Sequence, residues 1–160
     1  MKVYLTVSEP RGLRLQMDAM RILRESGVDL DSLVEAGFAL YVGDAKGKTL
    51  LSLKKRYRTL LQKHLSDQNV ALLISAASHL DSLVESESKG IFHRSKDPAA
   101  LVADELIGMS IAEYLAGKKG LFNYTRYDKE KPGILSDLPP FMDDAVGALV
   151  AATMTRLFEE

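Results

Sequence analysis

The stretch PPFMDDAVGALVAATMTRLF, residues 139–158, begins with two prolines and is apolar over most of its length. Proline is favoured in the first turn of a helix, so the pattern predicts a final helix from Pro139-Pro140 to about Phe158. Apolar residues recur at spacings of three and four through much of the remaining chain, and glycine and proline number only 11 and 5. The sequence therefore predicts an all-α fold, a compact single-domain bundle of about six helices over residues 1–160.

The other predicted elements are bounded by capping residues, glycines or polar stretches. They are a helix capped by Ser8 that runs through Met17 to Gly27, a helix over 29–41, a loop over 43–48, a helix over 49–65, a central buried helix over 68–84, a polar connector over 86–96, and a helix from Asp97-Pro98 to about Gly117. Residues 118–138 have no clear periodicity and are predicted to be irregular. Such a long irregular segment is uncommon inside a compact domain and is often functional.

Charge and cysteine content exclude several classes of protein. The chain has 21 basic and 22 acidic side chains, a net charge of -1, so it lacks the general attraction to nucleic acid that a strongly basic protein has. It has no cysteine, which excludes disulfides, thiolate metal sites and cysteine nucleophiles. A basic face over Lys54–Lys63 leaves nucleic-acid binding as a rival hypothesis, whereas solvated helix surface is the simpler interpretation.

No segment has the length expected of a membrane span. The longest apolar stretches, around 70–77 and 145–154, are well below the roughly 20 residues that a span requires. The start Met1-Lys2-Val3-Tyr4 lacks the apolar core of a signal peptide. We therefore expect a cytoplasmic protein.

An acidic pattern occurs twice. Asp104-Glu105-Leu106-Ile107-Gly108 and Asp143-Asp144-Ala145-Val146-Gly147 both read acid, acid, apolar, apolar, glycine. Glycine inside a helix costs roughly 1 kcal/mol relative to alanine, so the two glycines indicate either close helix packing or room for a ligand.

If the two helices cross near these glycines, up to four carboxylates converge, and such a cluster requires a cation. Oxygen ligands of this kind favour Mg2+, Mn2+ or Ca2+. The alternative is that the acids interact with helix dipoles. This explains Asp143 and Asp144 well, because they follow Pro139-Pro140, but it explains Asp104 and Glu105 less well, because the predicted helix starts before them.

The segment between the acidic pairs is NYTRYDKEKPG, residues 123–133. Arginine and lysine both bind phosphate oxygens, and a carboxylate-bound cation beside such groups is suited to phosphoryl transfer. The alternative is a surface loop with local ion pairs, for example between Arg126 and Asp128.

Three ordered blocks carry a resemblance to a known family: DELIGM at 104–109, RYDKEKP at 126–132 and FMDDAVGA at 141–148. They resemble the phosphatidylglycerophosphatase A family and its soluble branch, which contains the YutG-like proteins and the archaeal α-ribazole-5'-phosphate phosphatase CobZ. The soluble relatives also share the run from Asn123-Tyr124 to Ile134-Leu135. The resemblance implies a Mg2+-dependent phosphomonoesterase, with Mn2+ as an alternative ion, on an all-α fold.

The resemblance also implies roles for individual residues. The metal ligands would be Asp104, Glu105, Asp143 and Asp144, and the substrate phosphate would contact Asn123, Arg126 and Lys131. Asp128, Asp104 and Asp144 would be the catalytic carboxylates, with Asp128 assisting proton transfer as a metal-activated water attacks phosphorus in line. Asp128 could instead be a ligand or the partner of Lys131, and His93 could donate a proton or be a solvated loop residue.

Departures from the membrane enzymes bear on the substrate. Their hydrophobic spans are missing, and their glycine-rich lead-in to the last acidic pair is replaced by Ser136-Asp137-Leu138-Pro139-Pro140. We therefore expect a water-soluble phosphate ester, and the soluble branch suggests α-ribazole 5'-phosphate from cobalamin nucleotide-loop assembly. The alternatives are phosphatidylglycerophosphate and a non-catalytic helical binding module. The size and the family also suggest a homodimer.

Overall fold

The computed structural model describes residues 17–43, 49–87 and 101–159, and in these residues it contains α-helices and one 3-10 helix but no β-strand. The predicted all-α class is confirmed. The helices are α1 Ala19–Glu25, α2 Leu30–Ala39, α3 Leu50–Leu65, α4 Gln68–Glu87, α5 Ala103–Glu130 and α6 Pro140–Leu157, with the 3-10 helix Gly133–Asp137 before α6. Ser8, residues 44–48, His93 and Asp97-Pro98 lie outside the described residues.

The starts of α2 and α3 are confirmed and are fixed by side-chain caps. The Asp29 carboxylate accepts a hydrogen bond from the Ser32 N–H at 2.7 Å, and the Ser32 hydroxyl oxygen accepts one from the Asp29 N–H at 3.1 Å. Thr49 Oγ1 accepts the Ser52 N–H at 3.2 Å. Each bond satisfies a backbone donor that the first turn of a helix leaves without a partner.

The predicted start of the first helix at Ser8 lies outside the described residues, but the prediction that this helix runs through Met17 is wrong. Met17 lies before the helix, because the Asp18 carboxylate accepts the Arg21 N–H at 3.1 Å and makes Asp18 the N-cap. The predicted stop at Gly27 is confirmed, and Gly27 has φ +80, which glycine adopts without a side-chain clash.

The central helix is α6, which corrects the prediction that residues 68–84 occupy this position. Nearly every residue of α6 is buried, from Phe141 to Met154. In α4 the buried residues are Val70, Ala71, Ile74 and Ala77, while Leu72 and Leu83 are 45% and 47% exposed. The reason is that α3, α4 and α5 all pack against α6, so α4 is covered on one face only.

The predicted irregular segment is also wrong, because α5 continues to Glu130. Ala116 and Gly117 leave helical geometry, and Gly117 has φ 59 and ψ -154, a conformation that is open to glycine and strained for other residues. The chain folds back at this kink. A Cβ built on Gly108 would lie 2.5 Å from the Tyr124 hydroxyl, so 103–115 and 118–130 are two adjacent arms.

Both arms lie along α6. On the first arm, the Leu115 carbonyl accepts a hydrogen bond from Arg156 Nε at 2.7 Å. On the second arm, Asn123 Nδ2 donates to the Ala151 carbonyl at 2.8 Å. The kink therefore brings the two ends of α5 to the same end of α6, where Asp143 and Asp144 lie.

No helix in the described parts of the chain combines the length and the apolarity needed to cross a membrane.

Candidate active site

The most unusual pair of side chains is Asp144 on α6 and Asp128 on the second arm of α5. Asp144 is only 3% exposed, and Asp128 is partly buried. Burial, followed by the neighbouring Asp128 carboxylate, raises the pKa of Asp144 to about 8. Two carboxyl groups held together in a buried position are disfavoured as a doubly ionised pair, so this position favours a proton or a cation.

The side chain of Tyr124 lies next to these two carboxyl groups. Its ring lies between the two glycines of the repeated pattern, because a Cβ on Gly108 would meet its hydroxyl and a Cβ on Gly147 would lie 3.9 Å from its Cε2. Burial, followed by the charge of Asp144, raises the pKa of the Tyr124 hydroxyl, which therefore stays protonated. Within the described residues, neither this hydroxyl nor Oδ1 of Asp144 has a hydrogen-bond partner, although both are buried.

Lys131 brings positive charge to the cluster. Its Nζ bonds Oδ2 of Asp143 and lies 3.9 Å from Oδ1 of Asp128. Its backbone has φ 40, the only positive φ among the non-glycine residues that the structure describes. Lys131 is the C-cap residue of α5, a place where helices commonly adopt this left-handed conformation, and its N–H bonds the Tyr127 carbonyl.

Asp104 and Glu105 do not lie inside a helix as predicted but in the first turn of α5, which starts at Ala103. The helix-dipole interpretation therefore applies to this pair as well. Asp104 is 2% exposed and its Oδ1 accepts the Glu105 N–H at 2.9 Å, whereas Glu105 is exposed. Asp104 lies one turn before Gly108, on the face that α6 covers.

Asn123 and Arg126 lie away from the acidic cluster. Arg126 donates to the Leu40 carbonyl at 3.1 Å and to Asn123 Oδ1 at 3.3 Å. A helix turns about 100° per residue, so position 126 is on the opposite side of the arm from 124 and 128, while Asn123 faces α6 nearer its other end, at the Ala151 carbonyl. The alternative ion pair between Arg126 and Asp128 is not formed either.

Among the described residues, no group of three or more Asp, Glu, His or Cys side chains is placed to hold a metal ion. The structure thus gathers Asp128, Asp144, Tyr124 and the Lys131–Asp143 pair, and it does not gather the four carboxylates of the sequence hypothesis. Tyr124 was not among the site residues predicted from the sequence. Gly108 was its signal, because the Tyr124 hydroxyl occupies the space that a Cβ at this position would need.

Two basic residues on the Lys54–Lys63 face of α3 form ion pairs with α2. Lys54 Nζ bonds Glu35 at 2.8 Å and Arg58 bonds Asp31, and both acids are on α2. Positive charges neutralised in this way are less available for phosphates, so the solvated-surface interpretation is the better one for this helix.

Comparison with known proteins identifies similar chains. The model of the family described as phosphatidylglycerophosphatase A matches residues 30–159. Protein MJ1330 of Methanocaldococcus jannaschii, described as uncharacterized, is 37% identical over 131 residues, 79% of this chain and 100% of its own. YutG of Bacillus subtilis, also described as uncharacterized, is 28% identical over 155 residues and 90% of each chain. A solved structure of a protein of unknown function from Bacillus stearothermophilus has a TM-score of 0.74 at 28% identity, covering 91% of this chain and 98% of that one.

Proposed function

We propose that this chain, which belongs to the phosphatidylglycerophosphatase A family, is a Mg2+-dependent phosphomonoesterase that acts on a water-soluble phosphate ester. The observation that carries the proposal is the buried Asp144 carboxyl next to the partly buried Asp128 carboxyl, with the Lys131 ammonium near Asp128. Phosphoryl transfer depends mainly on positioning and charge neutralisation, and this cluster offers both.

The donor set suits Mg2+. In proteins Mg2+ is commonly held by one or two carboxylates, while waters and substrate phosphate oxygens complete its coordination. Asp144 and Asp128 would provide the two carboxylates, and Oδ1 of Asp144 is a buried oxygen without a hydrogen-bond partner in the described residues. A cation bound here would neutralise the phosphoryl oxygens and make phosphorus more electrophilic.

The protein groups can then complete a hydrolysis. A water oxygen bonds to phosphorus in line with the ester oxygen, the phosphorus–ester oxygen bond breaks, and the products are inorganic phosphate and an alcohol. An Asp128 oxygen would accept the proton of the water and later release it to solvent, and a solvent water would protonate the leaving alkoxide on the opposite side of phosphorus. Lys131 would stabilise the phosphate charge, and Asp143 would hold the Lys131 ammonium in place. The Tyr124 ring would keep water away from Asp144.

The soluble-branch resemblance supports α-ribazole 5'-phosphate as the substrate. A second candidate is phosphatidylglycerophosphate, which is favoured by the description of the matching family. The two substrates share a phosphomonoester and differ in their alcohol, so one substrate panel distinguishes them.

A phosphate-release assay with purified protein tests the proposal. The panel contains α-ribazole 5'-phosphate, phosphatidylglycerophosphate in mixed micelles and a nucleoside monophosphate, each with Mg2+, with Mn2+ or with EDTA. We expect release from α-ribazole 5'-phosphate that requires the metal. Asp144→Asn and Asp128→Asn should each lower the rate at least about 100-fold, the usual range for a lost general base or ligand.

The matched control is Asp137→Asn, which changes an exposed carboxylate of the 3-10 helix and should leave the rate within about twofold. Release that is unaffected by EDTA, or by both site variants, would contradict a metal-dependent hydrolase. An absence of release from every substrate would favour the helical binding module.

A further inference from the structure

A cavity lies at the other end of α6 from the acidic cluster. Its volume is about 390 Å³, and it forms where the end of α2, the second arm of α5 and the end of α6 meet. Small-molecule sites in proteins start at about 300 Å³, so the space is large enough for a small ligand. The residues that give it chemical character are Tyr41, Asn123, Arg126, Met154 and Phe158.

The walls of this cavity are aromatic. The rings of Tyr41 and Phe158 are stacked, with centroids 5.6 Å apart and planes 3° from parallel, and Phe38 packs edge-on against Tyr41. Phe158 is nevertheless 54% exposed, so much of its ring is still open to solvent. An open aromatic face next to a stacked pair is suited to a further flat ring.

Arg126 gives the cavity a fixed positive charge. Its two Nη atoms donate to the Leu40 carbonyl and to Asn123 Oδ1, and within the described residues both partners are neutral oxygens. These bonds hold the guanidinium at the cavity without neutralising it, and the side chain remains exposed. A guanidinium with free N–H groups binds carboxylates and phosphates through charge-assisted hydrogen bonds.

The Tyr41 hydroxyl is a third feature of the cavity that favours a ligand. It is buried in the cavity wall and has no hydrogen-bond partner in the described residues. A buried hydroxyl without a partner is unfavourable, so a polar group in the cavity would lower the free energy of this site.

We propose that this cavity is a binding site for a small planar aromatic anion, with its ring on Phe158 and Tyr41 and its acidic group on Arg126. Arg126 is two residues from Asp128 on the second arm of α5, a separation of about 200° around the helix, so the two side chains leave the arm on opposite sides and the arm separates the cavity from the acidic cluster. The site is therefore separate from the proposed hydrolytic one, and its test does not depend on catalysis.

The experiment is an amide NMR titration of the full chain with 1-naphthoate, and with neutral 1-naphthamide for comparison. We expect saturable shifts at Tyr41, Asn123 and Phe158. We also expect naphthoate to bind at least about tenfold more tightly than naphthamide, the effect of one charge-assisted hydrogen bond. Shifts centred on Asp128 and Lys131, equal affinities for the two probes, or no saturable shifts would each overturn the proposal.

Two variants locate the binding groups. Arg126→Gln should weaken naphthoate binding roughly tenfold and change naphthamide binding less than about twofold, because it removes only the charge. Phe158→Leu should weaken both probes, because it removes the stacking face. Arg24→Gln, a change of another exposed arginine at the end of α1, is the matched control and should leave both affinities unchanged. Unaltered naphthoate affinity in both Arg126→Gln and Phe158→Leu would place the ligand elsewhere.

Discussion

At the residue scale, the two copies of the acidic pattern look alike in the sequence but have different environments in the structure. Asp144 is buried next to Asp128, whereas Glu105 at the corresponding position of the other copy is exposed. The glycines differ as well. A Cβ on Gly108 would overlap the Tyr124 hydroxyl and approach the Asp144 carbonyl to 3.0 Å, but a Cβ on Gly147 would lie at ordinary contact distance, 3.7 Å from Leu135.

Alanine substitutions at the two glycines should therefore have opposite effects. Gly108→Ala should lower the free energy of unfolding by about 1–3 kcal/mol, the usual cost of overpacking. Gly147→Ala should raise it by up to about 1 kcal/mol, because alanine is the better helix former and the added methyl group fits. Urea unfolding followed by circular dichroism measures both values. Equal losses in the two variants would contradict the contacts described for Tyr124.

The stability of the metal-free protein should depend on Asp144. Its pKa is about 8 in the folded chain against 3.8 as the ordinary value, so the folded state holds a proton that the unfolded state has lost. The stability that this group contributes is complete below about pH 4 and is lost as the pH rises through about 8.

Asp144→Asn removes this titration, so its melting temperature in EDTA should exceed that of the natural chain by an amount that grows from pH 4 to pH 8. Thermal unfolding across this pH range measures the difference. Asp137→Asn should give a difference that stays flat with pH. A flat difference for Asp144→Asn would show that the carboxyl is not desolvated.

At the scale of elements, the start of α6 depends on another helix. Its N-cap residue is Pro139, whose side chain has no atom that can accept a hydrogen bond. Asp81 of α4 takes this role, because its two carboxylate oxygens accept the Phe141 N–H at 3.0 Å and the Met142 N–H at 2.8 Å. The residues next to the acidic cluster are thus held by a cap from α4.

Asp81→Ala should lower the free energy of unfolding by about 1–2 kcal/mol, the upper range for losing an N-cap. Asp81→Asn retains one acceptor oxygen and should lose less. Chemical denaturation of both variants measures the effect, with Ser82→Ala as the control, since Ser82 is exposed on the same helix. Indistinguishable stabilities for the natural chain and Asp81→Ala would rule out this cap.

At the scale of the whole molecule, an apolar stripe on the first arm of α5 supports the expected homodimer. Val102, Leu106 and Met109 are 52%, 56% and 40% exposed, and their spacing places them on one helix face. Apolar residues grouped in this way mark association surfaces more often than single exposed ones do.

Light scattering coupled to size exclusion should give a mass of about twice the 17.6 kDa of one chain. Leu106→Lys should reduce it to the mass of one chain by placing a charge in the stripe. Leu51→Lys, at a 79% exposed position on α3, is the matched control and should leave the dimer intact. A single-chain mass for the natural protein would contradict the dimer.

Local patterns determined the helical class, the helix starts near Asp29 and Thr49, the start of the last helix and the family, because these depend on residue spacing and on contacts within one turn. The tertiary structure decided which helix is central, since burial depends on all neighbours of a helix. It also decided which charges meet. Only the reversal at Gly117 brings Tyr124 and Asp128 back to Asp144, and the same reversal turns Arg126 to the far side of the arm. This reversal depends on the backbone conformation at Gly117. The apolar periodicity of the sequence does not encode that conformation.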